Sequence, residues 1–105
     1  MLIFPLKKEW YEKIKSGEKT IEYREVKPYW TKRLLKVGIW AKPVDNETAS
    51  LIKPKPCKLR LGYTNRSMMA MITKVFTVDG KDTDLAIDKP VYAIHLADVR
   101  EVENA

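Results

Sequence analysis

Residues 2–26, LIFPLKKEWYEKIKSGEKTIEYREV, decide the fold. The stretch opens with a short apolar run, Leu2 to Leu6, broken by Pro5, as suits a strand end or a sheet edge. Leu6, Trp10 and Ile14 then recur at spacing four with Tyr11 beside Ile14, which predicts an amphipathic helix over about Lys7 to Ser16. Lys13 and Lys15 fall in its last turn, where cations favour the helix dipole, and Gly17 follows as a left-handed cap. Thr20 to Val26 is rich in β-branched and aromatic residues and predicts a strand. Alternation there puts Ile21 and Tyr23 on one side and Thr20, Glu22 and Arg24 on the other.

Working outward, Pro28 opens a second predicted helix that runs through Lys36, with Trp30, Leu34 and Val37 as its buried stripe and Gly38 at its end. Trp10 and Trp30 sit at spacings that fit core packing. Residues 41–56 contain three prolines and no clear period, so a long surface loop is expected, with room for a brief strand or turn. Lys58–Tyr63, Met68–Val78 and Val91–Val102 are strand candidates, and the segment VDGKDTD from Val78 supplies a turn and an acidic loop. Strands separated by loops, with two short helices early, predict an α+β chain built as a small, partly closed and mostly antiparallel β-barrel. Residues 1–105 are read as a single domain with no internal repeat.

Composition narrows the function classes. With 45% hydrophobic and 32% charged residues and ten aromatics, the chain has the makings of one globular core rather than of a disordered segment. One cysteine, Cys57, excludes an internal disulfide, and one histidine leaves too few ligands for a Cys/His zinc site. No apolar run is long enough to span a bilayer, and the first residues do not form a signal peptide, so the cytoplasm is the expected compartment. The net charge of +6 is uneven. Residues 1–60 hold 15 Lys/Arg against 7 Asp/Glu, whereas residues 61–105 hold 5 against 7. Within residues 27–60 the count is 9 against 2, which points either to a polyanion-attracting face or to a solvated lysine-rich surface.

The chemistry concentrates in Gly17-Glu18-Lys19-Thr20-Ile21-Glu22-Tyr23-Arg24, which fits the pattern G-x-K-x-x-E-x-R. On this octet the chain resembles the ASCH domain family, a branch of the PUA-like barrels. The likeness extends to the strand and Ser-Gly-ended helix before the motif, the Trp-containing helix after it, Leu61-Gly62-Tyr63 and the late Val-Tyr-Ala-Ile-His-Leu strand. It covers nearly the whole chain, with residues 41–56 the least well matched. The resemblance implies a β-barrel with a cleft lined by motif residues and a function in RNA binding or RNA-related regulation. Some relatives act as amidohydrolases on acylated cytidine nucleosides, and ribonuclease activity is attributed to others. In the amidohydrolase subgroup the position of Glu22 is a nucleophilic threonine partnered by the lysine matching Lys19. Here the lysine is kept and the threonine is not, Thr20 standing two residues away. A carboxylate at that position would instead act as a base on water.

Residue chemistry supports candidates independently. Gly17 permits a turn that lets backbone approach a ligand. Lys19 brings a compact cation suited to a phosphate or a developing oxyanion. Glu22 and Arg24, at i and i+2 on one strand face, form either a surface ion-pair ladder or a site in which Glu22 accepts from a base's amino group. Tyr63, Asn65 and Arg66 stand where a strand enters a polar turn. They are either base- and phosphate-contacting residues or a plain hairpin turn. Trp40 is either a stacking platform or a satellite core contact. His95 shares a face with Val91, Ala93, Ala97 and Val99 and is either a packed structural histidine, as that apolar face favours, or an acid or base of the cleft. Cys57 has no partner that would make it a nucleophile.

The leading expectation is an RNA- or nucleotide-binding domain with Gly17, Lys19, Glu22, Arg24, Tyr63, Asn65 and Arg66 as ligand-binding residues, with neither metal nor organic cofactor and no membrane partner. A second is a hydrolase of RNA or a modified nucleoside with Lys19 and Glu22 as catalytic residues. A third is an interaction module for an acidic protein.

Overall fold

The computed structural model describes residues 1–39, 42–43 and 50–102. The N-terminal stretch forms β1 (Leu2–Leu6), α1 (Lys8–Lys15) and β2 (Ile21–Glu25), followed by α2 (Pro28–Lys36). Next come the two-residue β3 (Lys42–Pro43) and three long strands, β4 (Ser50–Leu61), β5 (Ser67–Asp79) and β6 (Pro90–Val102). Both predicted helices are present within a residue of their expected ends. Gly17, at φ 85°, stops α1 as expected: its N–H donates to the Ile14 carbonyl at 3.1 Å and the Lys19 N–H to that of Lys13 at 3.0 Å.

The strands form one mixed sheet in the order β1-β4-β5-β6-β2, with β3 added beside β5. Antiparallel ladders join β4 to β5, β5 to β6 and β6 to β2, while β1–β4 and β3–β5 are parallel. The sheet curls into a half-barrel. Among the described residues the outer strands β1 and β2 share no ladder.

The core lies on the concave face. Leu2, Phe4 and Leu6 of β1 alternate inward, as do Cys57 and Leu59 of β4 and Met68, Ala70 and Ile72 of β5. An irregularity between Ile72 and Lys74 then shifts the register against β6, and Val75 rather than an even-numbered residue continues the buried row. Tyr11 and Ile14 of α1 and Leu34 of α2 are buried against this face. Burial of a leucine- or phenylalanine-sized side chain is worth about 1.5–3 kcal/mol, so this layer carries the fold.

One expectation needs correction. Residues 50–56 are not loop, because β4 starts at Ser50, well before Lys58. Two of the three prolines that suggest a loop, Pro54 and Pro56, lie where β4 is an edge, and the third, Pro43, ends β3. Pairing with β1 begins only at Leu2–Cys57, and the register against β5 is irregular between Ser50 and Lys55. Proline removes no needed ladder bond at an edge or a bulge. Trp40 lies outside the described residues.

Candidate functional site

Glu22 is the unusual residue of β2. It pairs with Ile94 of β6, which in turn pairs with Val75 of β5, and both of those side chains are fully buried. The polar side of β2 therefore faces the core, and the Glu22 side chain is only 7% exposed. A carboxylate in such a place is costly unless it is paired and hydrogen-bonded. Three groups meet it. The Tyr23 backbone N–H donates to Oε1 at 3.0 Å, Arg24 Nη2 stands 3.4 Å from Oε2, and Lys19 Nζ lies 3.9 Å from Oε1.

Lys19 reaches Glu22 from the turn after Gly17, before strand alternation begins. Its side chain is 9% exposed. The ammonium stands 4.8 Å from the Trp10 ring centroid and 5.0 Å from that of Tyr23, and it donates to Asp84 Oδ2. Asp84 arrives from the loop between β5 and β6. Gly80 holds the base of that loop through its N–H to the Lys89 carbonyl at 2.8 Å and its carbonyl to the Ile87 N–H at 3.2 Å. Two cations and two carboxylates thus stand together, so their charges balance.

Arg24 closes the other flank. Its Nη2 also donates to the Pro5 carbonyl of β1 at 2.8 Å, and the guanidinium lies 5.4 Å from the Phe4 ring and 5.0 Å from the Trp30 ring. Its Nε is buried with no partner among the described residues. Phe4 and Trp30 stack at 5.1 Å, which fixes the wall against which Arg24 rests.

These side chains line a pocket of about 340 Å³ at the seam between β1 and β2. Its walls include Trp10 and Trp30, with Lys7 and Lys27 at exposed positions and Glu25 half-buried. A second space of about 300 Å³ shares Trp10, Lys19, Tyr23 and Asp84, so the Lys19–Asp84 contact stands between the two.

Lys19, Glu22 and Arg24 are therefore brought together. Gly17 supplies the turn and is not among the residues that line either space. The other candidates are elsewhere. Tyr63, 91% exposed, and Asn65 belong to the β4–β5 hairpin turn, closed by the Leu61 N–H donating to the Arg66 carbonyl at 3.0 Å. Arg66 is held by Glu101 at 3.2 Å, away from the pocket, and Glu101 also takes Lys15 at 2.9 Å and the Tyr11 hydroxyl at 3.2 Å.

Trp10 and Trp30, read as core from their spacing, are half-buried and both wall the pocket; Trp30 also packs against the core, stacked on Phe4. Asp84 was visible only as part of an acidic loop, and nothing local pairs it with a residue so far back in the chain. Tyr23 was assigned to the face opposite Glu22, yet its ring still borders the Lys19 ammonium.

The remaining titratable groups lie outside the pocket. The Cys57 thiol is buried and pushed up to about 12, which leaves no thiolate for catalysis at neutral pH. His95 is half-buried and edge-on to Phe76 at 5.5 Å. Burial and the Lys74 ammonium hold it below its ordinary value. No group of three His, Cys, Asp or Glu side chains suited to a metal stands together among the described residues, and none of their helices is long and apolar enough to cross a membrane. Comparisons with models of protein families, with curated proteins and with solved structures found no match.

Proposed function

We propose that this chain is a cytoplasmic ASCH-type, PUA-like domain whose pocket binds the base of an RNA or of a nucleotide-like ligand. The observation that carries the reading is the burial of Glu22 on a core-facing strand between Lys19 and Arg24. A buried ionic cluster contributes little net stability compared with apolar packing, so its presence at a pocket floor argues for a ligand. Its chemistry suits a base: the carboxylate accepts from an exocyclic amino group, while the ammonium and guanidinium donate to ring carbonyls. Trp10 and Trp30 add apolar and π surface for a planar ring. The volume of about 340 Å³ falls at the small-molecule end of ligand pockets, roughly 300–1,000 Å³.

A second reading, hydrolysis of RNA or of a modified nucleoside, draws on the place of the Lys19 ammonium between two carboxylates, Glu22 and Asp84. A carboxylate there would take a proton from an attacking water, and Lys19 would donate to the oxyanion or leaving group.

The test is incubation with a panel of plain and acylated nucleosides and short RNAs, following retention and product together. Retention without product supports the binding reading. Product that disappears in Lys19→Met establishes the hydrolase. Neither retention nor product across the panel contradicts both.

A further inference from the structure

The outer face of α2 differs from every other helical face of this chain. Tyr29, Lys32, Arg33 and Lys36 recur at i, i+3, i+4 and i+7, one exposed stripe beside the inward Trp30, Leu34 and Val37. All four are exposed, Tyr29 by 54%. The helix carries no acidic residue, and none of its three cations pairs with a carboxylate among the described residues. Lys13 and Lys15 of α1, by contrast, both do. Arg33 is already oriented, its guanidinium 3.4 Å from the Tyr29 ring centroid and its Nη1 donating to the Tyr29 carbonyl at 3.0 Å. At the far end the Lys55 ammonium lies beside Gly38, so the positive row continues past the helix.

The row also starts at the pocket. Trp30, which lines it, meets Tyr29 edge-on at 4.9 Å; Lys27, paired with Glu25 at 2.7 Å, and Asp84 and Leu85 of the β5–β6 loop line it as well. Residues 79–89, around that loop, carry Asp79, Asp82, Asp84 and Asp88 against Lys81 and Lys89, with Lys81 3.7 Å from Asp79 and 4.0 Å from Asp88. A polyanion leaving the pocket therefore finds along α2 cations that are unpaired among the described residues, whereas the loop holds more carboxylates than cations.

We infer that α2 is a phosphate track: a single-stranded nucleic acid places one base in the pocket and runs its neighbouring phosphates along Lys32, Arg33 and Lys36. The inference rests on the pocket being a base site, and it makes the partner a strand rather than an isolated nucleoside. A base must leave any duplex stack to enter a pocket of this kind, which selects single strands. Nine residues of helix extend about 13 Å, enough for the phosphates next to the bound base but not for a long duplex footprint.

The test compares the unaltered protein with the triple variant Lys32→Gln, Arg33→Gln, Lys36→Gln. Probes are the four ribonucleosides and a mixed-sequence RNA of about ten nucleotides, a length within known single-strand site sizes. The variant should keep its circular dichroism and its nucleoside affinity. Against the RNA it should lose about tenfold or more in affinity, and its log–log salt slope should flatten by about two, as expected for three lost single-strand contacts. A DNA strand of equal length should show the same α2-dependent change, because phosphate is what the track meets. An unchanged salt slope overturns the track. So does polyglutamate of matched charge reversing RNA binding by occupying the α2 face equally well in the unaltered protein, since an acidic protein surface is then the fitting partner. If nucleosides fail to bind while the strand still binds through α2, the track stands and the base-pocket reading falls.

Discussion

Arg24 of β2 donates to the backbone carbonyl of Pro5 in β1 at 2.8 Å, so one side chain bridges the two outer strands of the half-barrel. The same guanidinium stands 3.4 Å from the buried Glu22 carboxylate and rests on Phe4 and Trp30. Shape and charge at the pocket floor therefore depend on one residue.

Arg24→Met should destabilise the protein by about 3 kcal/mol, because it strips a buried carboxylate of a partner and orphans the Pro5 carbonyl. Glu22→Gln in the same chain removes the uncompensated charge. The double variant should therefore be more stable than the sum of the single losses predicts, by about 1 kcal/mol or more. Urea unfolding of the four proteins measures this coupling, and strictly additive losses would contradict the pairing.

The loop that carries Asp84 depends on Gly80. A Cβ there would meet the Lys89 and Ile87 carbonyl oxygens at 2.6 and 2.7 Å, and backbone cannot move aside cheaply. Gly80→Ala should cost about 1–3 kcal/mol through overpacking, and it should weaken ligand binding by displacing Asp84 from Lys19. Gly17→Ala meets open space and suffers only its φ of 85°, at a cost of about 1–2 kcal/mol. Thermal unfolding together with ligand titration separates the two, since only the Gly80 change should alter affinity beyond its effect on the folded fraction.

Much of this arrangement was legible before any coordinates. Glycine at the end of an amphipathic octad marks a helix stop on any chain, and the alternation of Glu22 with Tyr23 put the carboxylate and Arg24 on one face. What alternation cannot say is which face is inside. Here the polar face turns to the core, because Ile94 and Val75 flank Glu22 and because Lys19 and Arg24 compensate its charge. Helical spacing likewise cannot separate a core tryptophan from a pocket wall, as both need an inward stripe: Trp30 is both at once, and Trp10 lines the pocket. The β4 prolines misled because an edge tolerates what a central strand forbids. Asp84 was hidden by distance along the chain, since only the β5–β6 connection brings it to Lys19.

His95 supplies a pH dependence with a definite sign. Burial and Lys74 hold its folded value below the ordinary 6.5, so the unfolded chain takes up the proton first as pH falls. The stability from neutral His95 is complete above 6.5 and is lost as pH falls through the folded value. Unfolding free energy should decline from about pH 7 to about pH 5.5, a range in which carboxylate titration adds little. His95→Gln should flatten that decline. A decline that persists unchanged in the variant would assign it to another group.

In the proposed complex the Glu22 carboxylate accepts a hydrogen bond from the amino group of a bound base. Calorimetric titration of the nucleosides into the unaltered protein and into Glu22→Gln tests it most directly, because glutamine keeps the shape and removes the charge. The account predicts saturable binding of an amino-bearing nucleoside that weakens by about 1.5–3 kcal/mol in the variant, the worth of a charge-assisted hydrogen bond. Equal affinity in the two proteins, or no binding by the folded unaltered protein, would contradict it.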